Sequence, residues 1–308
     1  MASTLSLPPG MTVFQRDWLS SNNVLLMNHD QTVLIDSGYS SHTDMTSQLL
    51  IHALKSRSLD VLVNTHLHSD HCGGNAHLQT LYPAVQTFIP PGQIDAVADW
   101  REDQLTYVIT GQNCPRFAVT SALCDRCEYE WAGLRWLALS APGHDNHAMM
   151  FYCSQHGILI SGDALWEKGF GVIFPELDEQ SGYEEASQTF DLISDLKPAL
   201  VIPGHGNMFT DTQSALSYAR SRLDAFRNHP DKHARYASKV LVKFKLQEHG
   251  HIPLHSFRLW AQSVPYLMRL HQQLQGDLPF AAWFDQLLAD MCQSGVMDIQ
   301  GEELFNMP

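Results

Sequence analysis

An α/β or α+β sandwich followed by a mainly helical tail is the fold class predicted by three features of this 308-residue chain. Short apolar runs separated by turn residues open it. Strand and helix patterns then mix, without strict alternation, to about residue 210. Nearly everything from 212 to 294 reads as helix. At 44% apolar and 17% charged residues, the chain can bury a substantial core and lacks the composition of a disordered one.

The elements follow in order. MTVFQRD, NVLLMN and QTVLIDSG, within residues 11–38, alternate apolar runs with turns and predict a β-meander. TDMTSQLLIHALKS carries apolar residues at helical spacing, with Ser41 or Thr43 as candidate caps. DVLVNT is a continuous β-branched run of the kind a buried strand shows. GGNAHLQTLYP opens a short helix that ends at Pro83. Residues 92–113 read as amphipathic helix. RFAVTS, CEYEW, LRWLALS, MMFYCS and GILISGD read as strands, with Ala132-Gly133 as a hairpin turn. YEEASQTFDLISDL is helical, and ALVIPGHG is a strand running into a loop.

The tail holds several helices and ends in GVMDIQGEELF, a candidate hairpin. Helices followed by a hairpin suggest a winged-helix-like region. The helix break at His229-Pro230-Asp231 places the boundary between a domain at 1–228 and this region at 229–308.

Charge and cysteines narrow the classes. The start, MASTLSLPPG, has neither a basic segment nor a long apolar one, so no signal peptide is expected. No run approaches 18 apolar residues, so no membrane span is expected either. Six scattered cysteines do not make a disulfide framework, and a reducing cytoplasm is the expected compartment. Net charge is −14, which argues against non-specific binding of nucleic acid by the whole molecule. The balance is uneven: residues 220–245 hold eight Lys/Arg against two acids, an island that also reads as a solvated helix face.

One stretch concentrates chemistry. NTHLHSDHCGGN (64–75) puts His66, His68, Asp70 and His71 within six positions, a cluster costly to desolvate unless something binds it. His66 and His68 are two apart after a strand, so extended backbone points both rings to one side. Ligand-type residues recur at the ends of other predicted strands: Asp36 after TVLI, His144 in SAPGHDNH, Asp163 in LISGD and His205 in VIPGHG. Strand-end loops at one edge of a sandwich converge, as ligand sites on a rigid scaffold do. Borderline ions such as zinc take imidazole and carboxylate.

The set Asp36, His66-x-His68-x-Asp70-His71, His144, Asp163 and His205 resembles the five ordered motifs of the metallo-β-lactamase-fold superfamily, over roughly residues 12–215. The resemblance implies an αββα sandwich with two divalent metal ions at one edge, zinc first, with iron or manganese as alternatives. It implies His66, His68 and His144 on one ion, Asp70, His71 and His205 on the other, and Asp163 bridging both. Asp36 would stand behind the ligands and orient them. The implied chemistry is hydrolysis by a metal-bridging hydroxide, with Asp70 orienting it and passing a proton to the leaving group.

Other residues are weighed beside these. His147 could support His144 from behind or be an ordinary packed histidine. Trp166, Lys168, Phe170 and Phe174, in the Gly-interrupted segment after Asp163, could line a substrate pocket. Core packing serves the aromatics equally well, and Lys168 could be a plain surface lysine. Cys72 reads as a small residue beside the site. Cys124-x-x-Cys127 is a lone CxxC and a weak signal for metal or redox function. His249, His251 and His255 lack carboxylate partners in strand-end loops.

Three functions remain open. The first is a hydrolase of a small ester, thioester or lactone, with a site similar to that of glyoxalase II. In it the tail caps the site or forms a homodimer. The second is a phosphodiesterase or ribonuclease whose island at 220–245 holds nucleic acid, as the similarity in domain order to the beta-lactamase-like protein 2 branch, which includes endoribonucleases, implies. The third is a metal-bound redox or binding protein with little hydrolytic activity.

Overall fold

The computed structural model describes residues 7–307 of the chain. They divide into two compact units, 7–101 with 114–224, and 102–113 with 225–307. The first unit is built on two sheets. One runs β1 (Met11–Phe14), β2 (Asn23–Met27), β3 (Thr32–Ile35), β4 (Val61–Val63), β5 (Gln86–Ile89) and β6 (Ser121–Ala122), paired in sequence order. The other contains β7 (Glu128–Trp131), β8 (Leu134–Ser140), β9 (Met149–Cys153), β10 (Ile158–Gly162) and β11 (Leu200–Pro203), also side by side in chain order. The meander β1–β2–β3 and the ladder β7–β8–β9–β10 are antiparallel, whereas β3–β4–β5–β6 and β10–β11 are parallel.

Side-chain alternation explains why the strands of the first sheet read as continuous apolar runs. Val24, Leu26, Val33, Ile35, Val61 and Val63 point inward to Trp136, Ala138, Phe151, Ile160 and Ile202 of the second sheet. The intervening Leu25, Leu34 and Leu62 point outward, onto Leu50 and Leu54 of the helix Thr43–Leu54 and Leu78 of the helix Asn75–Leu81. On the second sheet the helix Tyr183–Leu196 is tied down by the Tyr152 hydroxyl donating to Leu196 O, and by Thr189 Oγ1 donating to Pro142 O. Helix, sheet, sheet, helix is the αββα order the family resemblance implied.

This layering sets where the loops go. β3 and β4 are parallel neighbours, so Asp36 and the 64–71 loop leave the first sheet at the same edge. β10 and β11 are likewise parallel, so Asp163 and His205 leave the second sheet together.

Local expectations are corrected in three places. Residues 92–113 form two short helices, Ile94–Asp99 and Tyr107–Thr110, not one. Trp100 turns left-handed and its N–H returns to the preceding turn, which closes the first helix, and Gly111 does the same for the second. RFAVTS pairs as a strand only at Ser121–Ala122, because the Gln79 side chain takes both the N–H and the carbonyl of Ala118. Neither Ser41 nor Thr43 caps the helix at 43. A 3₁₀ turn, Ser40–His42, leads into it and His42 holds the cap position.

The second unit is mainly helical. It contains Pro230–His249, Leu254–Ser263, Pro265–Gln275 and Phe280–Gln293, with a three-stranded antiparallel sheet of β12 (His251–Pro253), β14 (Glu303–Asn306) and β13 (Met297–Gln300) in that order. The terminal hairpin is β13–β14. The segment 102–113 belongs to this unit: the Trp260 indole donates to Gly111 O. Among the described residues no helix is long and apolar enough to cross a membrane.

Candidate metal centre

Ligand-type atoms of His66, His68 and His144 lie within 4.8 Å of one another, and so do those of Asp70, His71, Asp163 and His205. Asp163 spans the two groups. Its Oδ1 is 3.5 Å from His71 Nε2, and its Oδ2 is 3.5 Å from His144 Nε2. All seven side chains come from strand-end loops of the first unit. Asp70 and His71 sit on the one-turn helix Ser69–Cys72, which begins where extended backbone ends at His68. That change of conformation lets one loop serve both groups, which meet where the ring centroids of His66 and His71 lie 3.9 Å apart.

Hydrogen bonds fix which imidazole nitrogens are bare. Asp36 Oδ2 accepts from His71 Nδ1–H at 2.8 Å, and Val172 O accepts from His144 Nδ1–H. Asp36 also takes the N–H and the hydroxyl of Thr65, each at 2.8 Å, so Thr65 Oγ1 is left to accept from His66 Nδ1–H at 3.1 Å. With each Nδ1 protonated, each Nε2 carries a lone pair. His66 Nε2 and His71 Nε2 are buried and have no hydrogen-bond partner. Buried polar atoms rarely stay unpaired, so these two nitrogens, set among two carboxylates, call for electrophiles.

The charges agree. Burial, then repulsion from His71, His68 and His144, holds His66 well below the ordinary histidine range. Burial with the neighbouring His68 lowers His144 to about 4. Burial works against charging His71, yet Asp36, Asp163 and Asp70 outweigh it and raise His71 well above 6.5, so the surroundings of its Nε2 favour a positive charge, whether a proton or a metal ion. Burial would raise Asp163, but His205 and His71 hold its carboxyl well below the usual carboxylate range. Two ionised carboxylates facing bare imidazole nitrogens form a donor set that fits two divalent cations.

Glycine opens the space. A Cβ on Gly204 would sit 2.2 Å from Asp163 Oδ1 and 2.9 Å from His71 Cε1. On Gly171 it would collide with the His144 ring.

The other candidates divide. Phe174 packs its ring edge-on against His68, at 5.3 Å, and tilted against His144, at 5.8 Å. The Trp166 indole N–H donates to Asp163 Oδ1 at 3.1 Å. Phe170 is buried against Phe190 and lines a small cavity together with Pro142, His144 and Asp163. Lys168 is exposed. His147 is also exposed and lies beside Gly92. The residue of that loop that reaches the histidines is Asp145, with Oδ2 3.7 Å from His68 Nε2. Asp145 and Thr65 carry no spacing signal and were missed. Each is the sequence neighbour of a ligand, and only that adjacency could have flagged them. Outside the centre, Cys124 and Cys127 form a disulfide. His249 lies near Glu248, and His251 stacks on Phe305.

A family model of the metallo-beta-lactamase superfamily matches residues 16–205, and the chain belongs to that superfamily. Among relatives, it is 27% identical over 185 residues to a hydroxyacylglutathione hydrolase of Synechococcus sp. (strain JA-2-3B'a(2-13)), spanning 60% of this chain. It is 26% identical over 208 residues to a beta-lactamase-like protein 2 homolog of Drosophila melanogaster, spanning 64% of this chain. Each match covers 62% of the relative's own length. A metallo-beta-lactamase family protein from Thermus thermophilus shares the fold over 98% of this chain and 100% of its own, with TM-score 0.61 and 18% identity. A Cronobacter sakazakii metallo-beta-lactamase shares it over 73% of this chain and 93% of its own, with TM-score 0.56 and 16% identity.

Proposed function

We propose that the protein is a two-cation hydrolase of a small ester, thioester or lactone, with zinc as the first-choice metal and iron or manganese as alternatives. The observation that carries this reading is the pair of buried, partnerless Nε2 atoms of His66 and His71, in a cluster whose Asp163 carboxylate reaches from His71 to His144. His66, His68 and His144 would hold one cation, and Asp70, His71 and His205 the other, with Asp163 shared. Bound there, the cations would acidify a water and polarise an acyl oxygen.

The chain's own groups do the rest. Asp36 and Val172 O keep protons on the outer nitrogens of His71 and His144, so the inner nitrogens stay available. Asp70 is the more exposed of the two carboxylates in the centre, and its Oδ2 lies 3.0 Å from His205 Nε2. It is placed to take a proton from the attacking water and pass it to the leaving group. The names of the hydroxyacylglutathione hydrolase relatives support an acyl substrate.

The internal pairing of the basic island weighs against the nucleic-acid alternative. Arg220 pairs with Asp191, Arg235 with Asp290 and Lys245 with Glu248, while Lys243 Nζ donates to the carbonyls of Val296 and Met307. These cations are engaged at home before any phosphate arrives.

Elemental analysis of the purified protein, together with a panel of p-nitrophenyl esters, thioesters, lactones and bis-p-nitrophenyl phosphate, tests the proposal. About two metal ions per chain and turnover of an acyl substrate are expected. Cleavage confined to the phosphodiester, or full acyl turnover by metal-free protein, would overturn it.

A further inference from the structure

An exposed tryptophan stands beside the centre. Trp18 is 53% exposed, yet its ring lies parallel to that of His205, with centroids 5.4 Å apart and planes 6° apart. Trp166 meets both rings edge-on, at 5.3 Å from Trp18 and 5.6 Å from His205. The three rings form a corner whose Trp166 side is tied to the shared carboxylate by the indole N–H on Asp163.

The loop that carries Trp18 is held on both sides. Asp17 Oδ1 accepts the N–H groups of Leu19 and Ser20. Ser21 N–H donates to Asp70 O, and Asn22 N–H donates to Gly204 O. The Asn22 amide donates to Pro203 O and Gly206 O, each at 2.9 Å. The loop is thus bonded to the segment bearing Asp70 and to the segment bearing His205. A large apolar ring left half in water costs solvation without adding to the core. Here it is also fixed in position, so its conformational freedom is lost at folding and not at binding.

We infer that Trp18 and Trp166 form an aromatic wall beside His205 that receives a flat apolar group of the substrate, so that the preferred acyl compound carries an aromatic or similarly planar substituent. This rests on the hydrolase reading of the same site. Ring-on-ring contact favours such a group over an alkyl group of equal reach, by the order expected for one aromatic pair.

Two measurements test it. The first compares KM for phenyl thioacetate and ethyl thioacetate in the native protein, Trp18→Ala and Trp18→Phe, with rates normalised to bound metal. Trp18→Ala is expected to raise KM for the phenyl ester about 3–10-fold relative to its effect on the ethyl ester, and Trp18→Phe to restore most of the difference. Equal shifts for both esters would overturn the wall. The second follows tryptophan fluorescence during titration with N-benzylacetamide, which reads binding without hydrolysis. Saturable quenching that Trp18→Ala abolishes is expected, and its absence in the native protein would overturn the wall. If neither thioester is cleaved, the fluorescence titration still decides the wall, and the hydrolase reading is decided separately by the wider panel of esters, thioesters and lactones.

Discussion

His71 Nδ1 lies 2.8 Å from Asp36 Oδ2, while its Nε2, equally buried, has no hydrogen-bond partner. One side of the ring is anchored and the other is presented. Asp36 achieves this from a left-handed backbone conformation (φ 58°), which aspartate tolerates better than most residues.

Asp36→Asn keeps that conformation and the side-chain volume but removes the charge that holds the His71 proton. It is expected to weaken metal binding about 10–100-fold. Competition with a chelator of known affinity measures this, and an unchanged affinity would show that His71 orients itself.

The glycines on either side of His205 should behave differently. Gly204→Ala places a methyl against Asp163 Oδ1, and the purified variant is expected to carry little or no metal. Gly206 has open space around its Cβ position but φ +82°, so Gly206→Ala should keep its metal and lose about 1 kcal/mol of stability through backbone strain. Elemental analysis and thermal melts of the two variants check the contrast.

Acid should destabilise the metal-stripped protein in a defined window. His144 is lowered to about 4, chiefly by burial, from about 6.5 in an unfolded chain. Between those values the unfolded chain binds more protons. The stability contributed is therefore full above about 6.5 and lost as pH falls toward about 4, at up to about 1.4 kcal/mol per pH unit. His66, also lowered by burial, acts with the same sign. Chelator-treated protein should show a falling Tm across this window. Replacing His144 by Gln should flatten the slope, and a slope unaffected by that change would count against the assignment.

Lys243 should prove structural. It is half-buried, burial lowers its pKa, and its ammonium donates to two main-chain carbonyls near the C-terminus. Lys243→Met leaves those carbonyls unpaired and should cost about 1–3 kcal/mol, read as a lower denaturant midpoint. A neutral effect on stability would return the lysine to the pool of free surface cations.

Much of the site was legible because its parts obey local rules. The strand-end positions of Asp36, His66, His144, Asp163 and His205 follow from short-range alternation and loop placement. The αββα order came with the family resemblance, and the continuous apolar runs buried on both faces fit it. The pocket candidates were less legible: Phe170 and Phe174 are four residues apart in one Gly-rich segment, yet one fills the core and the other faces the histidines. Composition is the same for both fates, and only the surrounding packing separates them.

Which residues could bind cations, and in what order they come, was readable from the chain alone, because ligand identity and spacing are covalent facts. Which nitrogen of each histidine is bare emerged only on folding, since the protons are set by Asp36, Thr65 and Val172 O, distant in the chain or silent in pattern. Folding likewise brought Trp18 onto His205, 187 positions away, and turned much of the basic island toward internal partners. Contacts of that range depend on how the layers stack, and no local periodicity records them.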